Sequence, residues 1–335
     1  MVQRSPGACQ TAGWHRDLAL AFRAVGPLLD SLGLRPDQVP DLDPQPHPFR
    51  LLVPRGFAAL MARGDPWDPL LRQVLPLGVE GTLTPGFLLD PVGDRAATRV
   101  PGLLQKYQGR TLLMAHGACA VHCRYCFRRH FPYPDMGGYA VRTASALDAI
   151  QGDPSLMEVI LSGGDPLLLE DGPLADLIQR LAAIPHLRRV RVHSRLPVVL
   201  PSRVTEQLCE LLVATRLKPV LVIHANHVRE LGGPARSALA ALCRAGVTLL
   251  NQSVLLRGIN DSVCALVALS EGLFDSGVLP YYLHQLDPVQ GSAHFSVADA
   301  EALPLMETLR ARLPGYLVPR LVRDIAGEAS KTPLG

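Results

Sequence analysis

Cys119, Cys123 and Cys126 stand within eight residues, in the spacing C-x₃-C-x₂-C. Thiolates are soft ligands that select iron–sulfur clusters and zinc. A [4Fe–4S] cube fully ligated by cysteine needs four thiolates, so three leave one iron open to another ligand. Structural zinc also takes four ligands, usually as two pairs. Here the fourth would come from His116, His122, His130 or a distant cysteine. Three unrelated buried thiols are the plainest alternative. The tight spacing favours the cluster.

Two further places could do chemistry. The first is the run 161–166, Leu-Ser-Gly-Gly-Asp-Pro, which follows an apolar stretch. Gly163 and Gly164 at a strand end would let the backbone approach a ligand closely. The competing reading is an ordinary turn with Asp165 as a helix N-cap. The second is Lys331, four residues before the last residue of the sequence. Such a lysine is by default a solvated surface charge. His224 and Gln252 also end apolar runs. Singly each is as readily structural, but several polar groups converging at strand ends make a site.

Something must position these groups. Short apolar runs at 111–115, 158–162, 190–193, 219–224, 248–255, 280–286 and 316–322 alternate with helical patterns near 143–151, 173–183, 202–215, 234–244, 262–275 and 297–312. Strand then helix, repeated at ~30-residue intervals, predicts βα units around a parallel sheet. Six or seven units are too few for a standard closed eight-fold barrel, so the expectation is an open, partial (β/α)₆-type barrel with chemistry at the carboxyl ends of its strands. The cysteines follow the first run, as that rule requires. Residues 1–105 read as a mostly helical, Pro-rich extension with no evident chemistry, clearest as a helix over 17–32. Residues 106–325 form the barrel core and 326–335 a tail.

The 335 residues are 48% hydrophobic and 19% charged, enough to build a large core. A net charge of +3 gives no support to a nucleic-acid-binding face. No run reaches ~18 apolar residues, and residues 1–7 lack a signal-peptide pattern, so no membrane span is expected. Seven cysteines suit a reducing cytoplasm better than a disulfide framework. Cys9, Cys209, Cys243 and Cys264 read as isolated, mostly buried thiols.

The cysteine run, with Tyr125 before its last member, resembles the motif of the radical S-adenosylmethionine (SAM) enzymes. In that superfamily the open iron binds the amino and carboxylate groups of SAM, and a Gly-Gly-acidic element grips the methionine part. Nearly the whole chain resembles the lysine 2,3-aminomutases within it, through residues 100–107, 123–133, 193–197, 248–257 and 330–334. The likeness is strongest to the shorter branch that makes β-lysine for elongation factor P. By this resemblance Cys119, Cys123 and Cys126 hold a [4Fe–4S] cluster. Gly163, Gly164, Asp165, His224 and Gln252 contact SAM. Lys331 carries pyridoxal 5′-phosphate, with Lys106 and Arg110 at its phosphate. Arg128 binds the carboxylate of L-lysine, and Asp287 and Asp324 its ε-ammonium. His284 stands where the catabolic enzymes carry Tyr near the cofactor ring. Their C-terminal zinc-binding extension and its oligomer are not expected to carry over.

The implied reaction explains why these parts coexist. Moving an amino group between neighbouring carbons requires taking an unactivated hydrogen from C3, which no side-chain base can do, so cofactors carry that step. The implied partners are L-lysine, a flavodoxin- or ferredoxin-type electron donor, and elongation factor P with its lysine ligase. A free-standing metabolic lysine 2,3-aminomutase is the nearest alternative. A radical enzyme acting on nucleic acid lacks the expected basic face. A plain iron–sulfur electron carrier would need neither the Gly-Gly-Asp turn nor the paired aspartates and terminal lysine.

Overall fold

The structure, a computed structural model, describes residues 12–43 and 49–335. Ten strands form one sheet in sequence order: β1 (Thr98–Val100), β2 (Leu103–Tyr107), β3 (Arg110–His116), β4 (Glu158–Gly163), β5 (Arg189–Ser194), β6 (Lys218–Ile223), β7 (Thr248–Val254), β8 (Leu279–His284), β9 (Arg320–Arg323) and β10 (Thr332–Pro333). Strands β3 to β9 pair in parallel. Five helices of the expected repeats appear at Tyr139–Gln151, Asp171–Ala183, Gly233–Arg244, Val263–Asp275 and Asp299–Arg312, and a shorter one at Glu206–Val213. The edges β1 and β10 do not meet, so the barrel is open, as the repeat count predicts.

Burial explains the layering. β4 is buried along its whole length, whereas β5 alternates, with Val190, Val192 and Ser194 buried and Arg191 and His193 less so. The apolar face packs on helices through residues such as Leu174, Leu177 and Leu239, each worth ~1.5–3 kcal/mol when fully buried. The opposite face carries Arg191, His193 and Gln252 into an interior cavity. A barrel closed on itself would fill that space with branched aliphatic side chains.

Four expectations are corrected. The helix over 17–32 is two helices, Ala12–Ala19 and Val25–Leu32. Phe22 bridges to Val53 between them, and Pro27 sits in the first turn of the second helix, where a continuous helix would have met its ring with a carbonyl. The run 316–322 begins as a 3₁₀ turn, Gly315–Leu317, and only Arg320–Arg323 is strand, because Pro314 and Pro319 interrupt the ladder. Strands β1, β2 and β10 were not expected at all. They are short and pair antiparallel at the two sheet edges. Of the isolated cysteines, Cys209 is buried, Cys243 is half-buried and Cys264 is exposed, contrary to the burial expected of it. Cys9 lies outside the described residues. No helix among the described residues is long and apolar enough to cross a membrane.

Candidate active site

The cysteine loop leaves β3 at the carboxyl edge of the sheet. The segments before the barrel hold it from outside. The His122 amide donates to Leu52 O (3.0 Å) and the Arg124 amide to Gln73 O (2.8 Å). The fully buried Arg124 forks onto Glu80 at 2.8 and 2.6 Å, and Arg129 reaches the same carboxylate at 2.6 Å. All three cysteines are half-buried and lie on the cavity. Burial pushes the Cys126 thiol up to about 11, with the charge of Cys123 adding to the rise; burial raises Cys119 as well. Thiolates gathered in so dry a place need cationic metal beside them, which the irons of a cluster would supply. Among the described residues no three His, Cys, Asp or Glu converge on a point for a single ion. In a cube each thiolate takes its own iron, so its cysteines need not meet. The nearby imidazoles are engaged with backbone, His122 with Arg50 O (2.7 Å), His130 with Gln290 O (3.1 Å) and His116 with the Ala118 amide (3.1 Å).

The Gly-Gly-Asp run ends β4, and its glycines do something the sequence reading did not anticipate. They admit the cysteine loop itself. A Cβ on Gly163 would lie 2.3 Å from His116 O, and one on Gly164 would lie 2.2 Å from Ala118 O. Gly163 also has φ 122°, which L-residues rarely adopt. The amides of Gly164 and Asp165 donate to those same carbonyls, both at 2.8 Å. The Asp165 carboxylate accepts from the Leu167 amide (3.1 Å), as an N-cap would. It also accepts from Ser194 Oγ (2.8 Å) and the Arg195 amide (2.8 Å), tying β4 to β5. Burial raises this carboxyl to about 6, opposed first by the Ser194 hydroxyl. Gly164→Ala should therefore displace the cysteine loop, at a cost of ~1–3 kcal/mol for overpacking against backbone. Thermal unfolding and iron uptake should both fall, and a variant with unchanged iron uptake would separate the glycine from the loop.

At the other end of the cavity five ionic groups form two clusters. Asp94 is 1% exposed and receives Lys106 Nζ at 2.7 Å and Arg128 Nε at 2.7 Å. Burial alone would raise its carboxyl, but Arg128 and Lys106 outweigh burial and hold it below the usual range. Arg128 also donates to Ser162 Oγ at 3.1 Å. Lys331 Nζ sits 2.8 Å from Asp324, which also accepts from the Tyr107 hydroxyl at 3.1 Å. The guanidinium of Arg110 stacks on the Tyr107 ring at 4.6 Å.

Every residue to which the resemblance gives a site role lines this one cavity of about 300 Å³, from Cys119, Cys123 and Cys126 through Gly163, Gly164, Asp165, His224 and Gln252 to Lys106, Arg110, Arg128, Asp287, Asp324 and Lys331; the alternative ligands His116, His122 and His130 do not. Asp94, Tyr107, Tyr282, His193 and Arg195 line it too, although the sequence reading gave none of them a role in the site. Asp94 corrects the view that residues before 105 hold no chemistry. A count of lysines would have sharpened the reading. Among 33 Lys and Arg, only Lys106, Lys218 and Lys331 are lysines, and two of these face the cavity. A guanidinium can be neither deprotonated nor used as an amine nucleophile, so a lysine kept there has a chemical reason.

Polar atoms along the cavity wait for partners. His193 Nε2, His224 Nε2, His284 Nε2 and Asp287 Oδ1 are buried and make no hydrogen bond to the protein. Native interiors satisfy such atoms, so four on one cavity point to bound polar groups. Burial lowers His224 to about 4, Arg195 adding to it, so that imidazole is neutral. Burial raises Asp287 to about 7 against the pull of the Lys331 ammonium, with the charge of Asp324 adding to the rise. The residues present thus fit an iron–sulfur cube at one end and an amine-bound, phosphate-bearing cofactor at the other.

No family model matches the chain. Among solved structures, a radical SAM methyltransferase from Sphaerobacter thermophilus aligns with TM-score 0.46 and 19% identity, over 66% of this chain and 68% of that one. The L-lysine 2,3-aminomutase of Escherichia coli is 53% identical over 286 residues, covering 85% of this chain and 83% of that protein. That of Haemophilus influenzae is 48% identical over 332 residues, 99% of this chain and 98% of that protein. That of Clostridium subterminale is 38% identical over 288 residues, 85% of this chain and 69% of that protein. With identities this high over most of both partners, the chain belongs to the L-lysine 2,3-aminomutase family of isomerases.

Proposed function

We propose that the protein converts L-α-lysine to β-lysine by moving the amino group from C2 to C3, in the cytoplasm, with a flavodoxin- or ferredoxin-type protein as electron source. The observation that carries this reading is the continuity of the cavity from the three-cysteine loop to Lys331. Residues 1–105 serve as an extension, in which Leu52, Gln73 and Glu80 brace the loop, 106–325 as the barrel, and 326–335 as the tail bearing the cofactor lysine.

In this reading Cys119, Cys123 and Cys126 hold the [4Fe–4S] cluster, and Gly163, Gly164, Asp165, His224 and Gln252 surround SAM. Lys331 binds pyridoxal phosphate, with Lys106 and Arg110 at its phosphate. When bound, these cofactors supply the radical that removes the C3 hydrogen and the carbonyl that carries the migrating nitrogen. The chain's own residues select and hold the substrate. Arg128, already fixed by Asp94, offers its remaining guanidinium edge to the carboxylate. Asp287 and Asp324 take the ε-ammonium and would repel the side chain of glutamate. Lys331 neutralises Asp324 in the structure; once it bears the cofactor, Asp324 is left for substrate. Anaerobic incubation with lysine, SAM and dithionite should yield β-lysine, identified by chiral chromatography. Absence of β-lysine from protein loaded with all three cofactors would refute the reading.

The elevated Asp287 carboxyl gives a pH test. Below about pH 7 it is neutral and attracts the ammonium weakly; above, it is ionised. Lysine affinity should therefore rise as pH rises through about 7, with a proton released on binding. Asp287→Asn should weaken lysine use at least tenfold, since a charge-assisted contact is worth ~1.5–3 kcal/mol, and should flatten the pH profile. Calorimetry in buffers of different ionisation enthalpy reads the proton. An unchanged pH profile in the Asn variant would remove Asp287 from this role.

We further propose that the β-lysine serves elongation factor P. Identity to the Escherichia coli and Haemophilus influenzae relatives, 53% and 48%, exceeds that to the Clostridium subterminale protein, 38%. This agrees with the likeness to the shorter branch. Mass spectrometry of elongation factor P from a strain lacking the protein should show loss of the β-lysyl group. A normal factor P beside a depleted pool of free β-lysine would favour a metabolic enzyme instead.

A further inference from the structure

Arg195 follows the last residue of β5, and everything around it fixes its side chain. Its amide is held by Asp165 at 2.8 Å. Its Nη2 donates to Gln73 Oε1 at 2.8 Å and to Glu230 Oε2 at 2.9 Å. Its Nη1 turns the other way and donates to Cys123 Sγ at 2.6 Å. The guanidinium is 7% exposed and lies over the rings of Phe57 (5.5 Å) and Tyr125 (5.7 Å).

A buried Arg–Glu pair can be purely structural, and such pairs need contribute little to stability. The geometry here departs from that case. An arginine serving only as counter-ion frequently lays its fork on both carboxylate oxygens. Here only one oxygen of Glu230 meets the guanidinium. The other, Oε1, accepts from Gln73 Nε2 (3.1 Å) and from the amides of Asn226 (2.9 Å) and His227 (3.0 Å). Gln73 in turn accepts from Asn226 Nδ2 at 3.0 Å. The result is a rigid mount, part of it supplied by the segment before the barrel, that aims one arm of a permanent cation at one thiolate of the cysteine loop.

We propose that Arg195 is a positioning residue that orients the Cys123 thiolate and raises the reduction potential of the cluster, and that Gln73 and Glu230 set its aim. This rests on the assignment of the three cysteines as cluster ligands. Reduction adds one negative charge to the cluster. A fixed cation and a hydrogen bond at a ligand sulfur stabilise the reduced form more than the oxidised one, and dry surroundings preserve the effect. The N-terminal extension then has a part in the chemistry, through Gln73, beyond covering the barrel.

The test is potentiometric titration of reconstituted protein, following the EPR signal of the reduced cluster without substrate or SAM. Arg195→Met paired with Glu230→Gln removes both charges and leaves no buried carboxylate unpaired. It should bind iron as wild type does, and its reduced-to-oxidised ratio at fixed potential should fall at least tenfold, which is about 59 mV for one electron. Arg195→Lys keeps the charge, but an ammonium is a point donor that cannot span the sulfur and Glu230 together. It should shift in the same direction by less. A double variant that holds its cluster at the wild-type potential overturns the proposal. If the double variant takes up no iron, Arg195→Lys decides: a wild-type potential there overturns it equally. Wild-type protein that assembles no cluster overturns the cysteine assignment instead.

Discussion

Cys123→Ala protein should bind far less iron than wild type after anaerobic reconstitution and should release no 5′-deoxyadenosine from SAM. Three thiolates leave one iron of a cube open, and two leave a second iron without protein ligand. The local architecture makes rescue difficult. His116, His122 and His130 are engaged with backbone, and the nearby guanidinium of Arg195 is a donor that cannot ligate metal. The loss should exceed the ~10–100-fold that follows removal of a residue behind a ligand. Cys119→Ala and Cys126→Ala should behave alike. Cys209→Ala, Cys243→Ala and Cys264→Ala should leave iron content unchanged. Cys209 packs in the helical layer and Cys264 is exposed at the start of Val263–Asp275. Iron and sulfide analysis with EPR reads the cluster. Full SAM cleavage by the Cys123→Ala protein would end the radical reading.

Lys331→Ala protein should keep its cluster while losing the borohydride-fixed pyridoxyl adduct and all aminomutase activity. The chain narrows the choice unusually well, because it has three lysines. Lys218 is exposed at the start of β6, away from the cavity lining. Lys106 is held by Asp94 and by Val92 O at 2.8 Å. Lys331 is 20% exposed, on the cavity, and pairs with Asp324 at 2.8 Å. The substitution also changes Asp324. Burial alone would raise that carboxyl, and Lys331 with Lys106 now holds it below the usual range. Without Lys331 its ionisation should shift upward, so Asp324 should be less ionised at a given pH in the variant. Mass spectrometry of reduced, digested wild type should find the label on the peptide containing Lys331. Recovery of the label on Lys106 would refute the assignment.

Much of this site could be read from the chain because its parts are local. Three cysteines in eight residues occupy one loop whatever the fold, and apolar runs alternating with helical periods force βα units whose strands run in parallel. Chemistry at strand carboxyl ends then follows from the connection rule, which is why Gly164, His224 and Gln252 could be assigned to one mouth from the sequence. Other features depend on contacts no local pattern carries. Asp94 matters only because β2 and the cysteine loop bring Lys106 and Arg128 to it from different segments. Tyr107 meets Asp324, and Arg195 meets Gln73, only because the sheet order closes those distances. Side-chain type likewise could not tell that Asp165 ties two strands together while Asp287 keeps an oxygen without a partner. Both are aspartates in loops after strands. The sequence determined which groups are available and roughly where along the barrel they stand. The tertiary structure decided which charges are paired and which await a ligand, because desolvation and long-range pairing depend on the whole packed chain, and spacing along it does not record them.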